Sequence, residues 1–163
     1  MNQRISRFGS EWGVLGFCVW QAADLVTAWR HSPFDRLGWL ALGIWLAPTL
    51  VSAFRYRAVE PLPLKRRDAL LCWLALLVCL IGILTDMHCL KHAALALACA
   101  AITPAFRFWG LWFALSLAWM PALGWLLGGI PSLGVASVRL GLAAIAAWVG
   151  LAERLGKPGR VLE

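Results

Sequence analysis

The chain has 163 residues, of which 61% are apolar or aromatic and 14% charged, with 15 basic against 8 acidic residues and a net charge of +7. A water-soluble domain carries about 25% charged residues, so this composition excludes an ordinary soluble fold, intrinsic disorder and a disulfide-stapled secreted scaffold. The expectation is an all-α, polytopic transmembrane helical bundle, because helices satisfy their own backbone groups in lipid.

In chain order, six spans are expected near residues 12–29, 37–54, 69–85, 89–104, 108–127 and 133–152, forming one membrane domain over residues 1–163. A hydrocarbon core of about 30 Å needs roughly 20 helical residues at about 1.5 Å each. The first span is the least apolar, since it holds Gln21 and Asp24. Val26-Thr27-Ala28 is similar to a signal-peptidase site, so a cleaved leader is the alternative to a retained span. The loop at 55–68 carries Pro61, Pro63 and Lys65-Arg66-Arg67 and reads as a topological anchor, with an anionic-lipid site as the alternative. The third, fourth and fifth spans follow one another almost without loops, which makes them antiparallel neighbours. Of the 11 tryptophans, Trp12, Trp29, Trp39, Trp109 and Trp125 fall near expected interfaces, where amphipathic rings anchor at the headgroups.

Loop charge sets the orientation. Arg4, Arg7, Arg55, Arg57, Lys65, Arg66, Arg67, Arg107, Arg154, Lys157 and Arg160 fall on one side, and only Arg30, Arg36 and Lys91 on the other. By the positive-inside rule both termini are cytoplasmic, as in a multi-pass protein of the bacterial inner membrane. The basic excess is thereby accounted for. The expected partner is the lipid bilayer and not nucleic acid, for which no aromatic-and-basic motif is present.

An ionisable group within a span costs roughly 3 kcal/mol on insertion scales, so each one is a candidate functional residue. Asp24, the His88/Cys89/His92 cluster and Arg139 are the positions concerned. His88 and His92 are four apart and share a helix face, with Cys89 three before His92. A thiol beside an imidazole is the arrangement that makes a thiolate nucleophile. Metal binding by the two imidazoles and simple capping of an outer turn are the alternatives. Arg139 lies in the last span, where it snorkels, pairs with an acid, or binds a carboxylate through its planar fork. An Asp24–Arg139 ion pair would satisfy both groups. Cys89, His92 and Arg139 are the candidate catalytic set of a membrane cysteine enzyme, with Asp24 and His88 as further polar intramembrane residues. No metal or cofactor is assigned. The other cysteines, at 18, 72, 79 and 99, lie mid-span and behave as small apolar residues.

The order of elements resembles the exosortase/archaeosortase family of polytopic membrane cysteine transpeptidases. The pieces that carry the likeness are Trp29, Ser32-Pro33-Phe34-Asp35, Gly38-Trp39, Arg55-Tyr56-Arg57, Phe106-Arg107-Phe108 and Met120-Pro121, with the tail at 156–163. The likeness covers most of this chain but only about the first half of a full family member. It implies a truncated or divergent exosortase-like protein associated with sorting or processing of surface proteins, with a membrane-protein partner or the C-terminal sorting signal of a surface protein as its ligand. The family's Ala-Cys-Ser-Gly nucleophile motif and its later Arg and His have no counterpart here, so the resemblance carries over no catalytic residue. A small transporter or scaffold subunit with a polar Asp24/Arg139 path is the reading from a different class.

Overall fold

A computed structural model describes residues 2–56, 66–103 and 108–155, with side chains over 11–51, 69–103 and 108–152. The anchor loop around Lys65, the Phe106-Arg107 turn and the tail at 156–163 lie outside the described residues. All described elements are helical, which agrees with the all-α class. They are α1 (Asn2–Gln21), α2 (Asp24–His31), α3 (Gly38–Tyr56), α4 (Arg66–Leu84), α5 (His88–Ile102), α6 (Trp109–Ala114), a 3₁₀ turn (Leu115–Ala118), α7 (Pro121–Leu126) and α8 (Ser132–Leu155). Among the described residues one helix, α8 over Ser132–Ala152, is long and apolar enough by itself to cross a bilayer.

Four of the six stretches expected as spans fall on single helices, namely α3, α4, α5 and α8. In α3, α4 and α5, however, the apolar stretch is shorter than a span, at Gly38–Val51, Ala69–Leu84 and His88–Ile102. The first and fifth are broken, which corrects the expectation of unbroken segments there. At Ala22–Ala23 the backbone switches to i→i−3 bonds, with Ala23 N donating to Trp20 O and Leu25 N to Ala22 O. The chain then restarts as α2 with Asp24 in its first turn, where a carboxylate complements the positive end of the helix. The fifth span loses its α-helix at Leu115, continues as a 3₁₀ turn and stops at Met120. Pro121 brings no N–H and is suited only to the first position of α7.

Helices α4 and α5 form the tight hairpin that their missing loop implies. Asp86 adopts a left-handed φ of 52°, and Met87 N closes back onto Gly82 O at 2.9 Å, ending α4 as a Schellman turn. A Cβ on Gly82 would stand 3.0 Å from Leu90 Cβ, so the glycine sets how closely the two helices approach. Residues 94–101 of α5 are all buried, and six of these eight are alanine or cysteine. Small side chains let α1, α4 and α6 close around this helix. On the other side α8 packs along α3, with Gly150 against the Pro48 ring. Between these groups Trp45 of α3 stacks on Trp112 of α6 at 4.0 Å and 10°. Each indole N–H donates to the other's backbone carbonyl, at 2.8 and 3.1 Å.

Candidate functional site

Two polar assemblies lie at the end of the bundle where α1 gives way to α2 and α4 to α5. The first is centred on Asp24. His88 Nδ1 approaches Asp24 Oδ2 at 2.8 Å, and His92 Nε2 approaches the same oxygen at 3.1 Å. The i,i+4 spacing on the first turns of α5 aims both rings at one carboxylate, which the break at Ala22–Ala23 presents from α2. His92 is nearly enclosed, with 4% of its side chain accessible, whereas His88 is 58% accessible. Asp24 Oδ1 is buried and accepts no hydrogen bond. The assembly is a carboxylate between two imidazoles, one facing inward and one outward. Among the described residues no three His, Cys, Asp or Glu are arranged to hold a metal ion.

The second assembly surrounds Arg139, whose side chain is fully buried. Nη2 donates to Asp35 Oδ1 at 2.5 Å, and Nη1 donates to Ala118 O at 2.8 Å and Met120 O at 3.2 Å. Nη2 also reaches Phe34 O at 3.5 Å. Trp119 O, between the two carbonyls that Arg139 serves, accepts from Trp29 Nε1 at 3.1 Å. The three successive carbonyls at the break between α6 and α7 thus all receive side-chain donors, two from α8 and one from α2. Met120 O also accepts from Leu123 N at 3.2 Å. An unpaired carbonyl in an apolar interior costs on the order of 1–3 kcal/mol, so the donors to Ala118 O and Trp119 O are what make the break tolerable. Glycines leave room for it. A Cβ on Gly38 would lie 2.1 Å from Trp29 Nε1, and one on Gly124 would lie 2.7 Å from Asp35 Oδ1.

The expected Asp24–Arg139 pair does not form. Asp24 is held by the two histidines, and Arg139 takes Asp35, a residue that the loop between Ser32 and Gly38 folds inward to 6% exposure. The candidate set of Cys89, His92 and Arg139 is not assembled around one point. Cys89 is exposed, with no side-chain partner among the described residues, His92 is bound to Asp24, and the terminal nitrogens of Arg139 are spent on Asp35 and backbone carbonyls. Asp35 and Trp29 are the members that the reading of charged spans overlooked. The signal was present in Pro121, because a proline inside an apolar run frees carbonyls that need donors from elsewhere.

No family model matches the chain, and neither a curated protein nor a solved structure matches it.

Proposed function

We propose that the chain is a six-span protein of the bacterial inner membrane with cytoplasmic termini, exosortase-like in organisation, that works in the sorting or processing of surface proteins. The observation that carries the membrane reading is an inverted distribution of polarity. Arg139, Asp35 and His92 are 0%, 6% and 3% exposed, while Trp125, Leu133 and Trp148 are 84%, 80% and 71% exposed. Only 33% of the apolar stretch of α8 is buried within the molecule, whereas the core helix of a soluble protein would be mostly covered. Such an exterior far exceeds the scattered apolar residues normal on a water-facing surface, and lipid is the medium that suits it.

The exosortase-like part of the proposal is supported by where the residues of the resemblance fall. Trp29, Phe34, Asp35, Gly38 and Met120 all take part in the Arg139 joint or in the packing around it. In this reading Arg139 is a strut, and the chain acts as a non-catalytic partner that meets a membrane protein or a sorting signal through its outer end. Deleting the gene and quantifying surface-anchored proteins tests it. The expected result is retention of unsorted precursors in the membrane, restored by the wild-type chain and equally by Cys89→Ala. An unchanged surface fraction in the deletion strain would overturn it.

The Asp24 assembly favours a second reading, a proton-handling path in a small transporter. A carboxylate between one enclosed and one exposed imidazole can pass a proton from the outer medium inward. Reconstituted protein would then show a solute-coupled proton flux that Asp24→Asn abolishes, and no flux above empty vesicles would exclude this path.

A further inference from the structure

A groove of about 350 Å³ lies beside the joint, lined by Val26, Trp29, Arg30, Arg36 and Trp39. Its two faces differ in chemistry. Val26 and Trp39 are exposed apolar side chains, and the Trp29 ring is fixed between its bond to Trp119 O and the Cα of Gly38. Arg30 and Arg36 are the charged residues of its lining.

Among the described residues neither cation has a counterion. Three acids lie at this end among the described residues, and each is engaged elsewhere: Asp24 by His88 and His92, Asp35 by Arg139, and Asp86 by Lys91. The charge count sharpens this. Only three basic residues are expected on the outer side, and Lys91 is paired with Asp86, so the two that remain both line one groove. Positive charge is disfavoured on that side of a membrane, and two unopposed arginines side by side there call for an anion.

We infer that this groove binds the phosphate of an anionic phospholipid in the outer leaflet, with Arg30 and Arg36 holding the phosphate and Trp29, Trp39 and Val26 receiving the glycerol and the first acyl carbons. Planar guanidiniums are suited to bidentate contact with phosphate oxygens, and indoles are at home at headgroup level. The volume is at the lower end of ligand pockets, about 300–1,000 Å³, and fits a headgroup region and not a whole lipid. Because Arg36 directly follows Asp35, an occupied groove would also brace the loop that closes the Arg139 joint.

The inference rests on the membrane reading, and the test separates the two. Alkaline carbonate extraction of membranes comes first: release of the chain into the supernatant would defeat the membrane reading itself. The purified full chain in detergent is then titrated with short-chain phosphatidylglycerol, short-chain phosphatidylcholine and inorganic phosphate, with tryptophan fluorescence as the signal. Phosphatidylglycerol should bind at least about tenfold more tightly than phosphatidylcholine, and Arg30→Gln/Arg36→Gln should remove that preference while leaving the melting temperature of the lipid-free protein unchanged. Undiminished preference in the double variant would overturn the proposal with the membrane reading intact. Inorganic phosphate binding as tightly as the lipid would replace the lipid by a free anion.

Discussion

Asp35 and Arg139, 104 residues apart, form an ion pair at 2.5 Å in which the guanidinium is fully buried and the carboxylate nearly so. The pair does more than neutralise charge, since the same guanidinium donates to the backbone at the break between α6 and α7. Removing one partner of a buried pair typically costs about 3–5 kcal/mol, because the other is left uncompensated. Arg139→Met and Asp35→Leu are each expected to lower the unfolding free energy in detergent by that amount. The double variant should cost less than the sum, with a coupling of about 0.5–3 kcal/mol in a double-mutant cycle. It should not recover wild-type stability, because the Ala118 carbonyl still lacks the donor that Arg139 supplied. Arg139→Lys should rescue little, since an ammonium lacks the fork that serves acceptors in several directions.

Gly38 is required for steric reasons. A methyl group there would overlap the Trp29 ring, so Gly38→Ala should destabilise by about 1–3 kcal/mol, as overpacking does. Trp29→Ala removes the obstructing ring together with the donor to Trp119 O. Gly38→Ala added to Trp29→Ala should therefore cost almost nothing further, and an additive loss in thermal unfolding would show that the clash is not the cause.

The two histidines on Asp24 should behave unequally. His88 is more than half accessible, so its pair is screened by solvent and His88→Ala should cost under about 1 kcal/mol. His92 is enclosed, and His92→Ala leaves Asp24 with a half-buried carboxylate short of its inner donor, for an expected cost of about 1–3 kcal/mol. Equal losses in unfolding midpoint would contradict this inside–outside division.

The tryptophan pair makes a similar prediction. Trp45→Phe keeps a ring to stack on Trp112 but deprives the Trp112 carbonyl of its indole donor. The expected loss is about 1–3 kcal/mol. Trp148→Phe, on the outward face of α8, should stay within about 0.5 kcal/mol in the same assay.

Helix content and the α4–α5 hairpin were legible from apolar runs and loop lengths, because those depend on local periodicity and on the number of residues between runs. The break at Ala22–Ala23 was hidden, since two alanines carry no sign of a helix end. Arg139 and Asp24 were recognisable as groups that need partners, yet composition says nothing about which group meets which. Asp35 looked like an ordinary loop residue between Pro33 and Gly38. Its inward turn depends on Gly124 and Gly38 leaving space, and those contacts come from segments remote in the chain. The His88/His92 face was legible from i,i+4 spacing, while its partner, 68 residues away in the case of His92, was not.

The proposed placement of the polar end on the outer side of a membrane is most directly tested on the native cysteines. Cys89 is exposed, and Cys18, Cys72, Cys79 and Cys99 are buried, so one thiol reports without engineering. A membrane-impermeant maleimide applied to intact spheroplasts is predicted to label the chain once, with the label lost in Cys89→Ser. Labelling that appears only after lysis would put Cys89 and the Asp24 assembly on the cytoplasmic side and contradict the account.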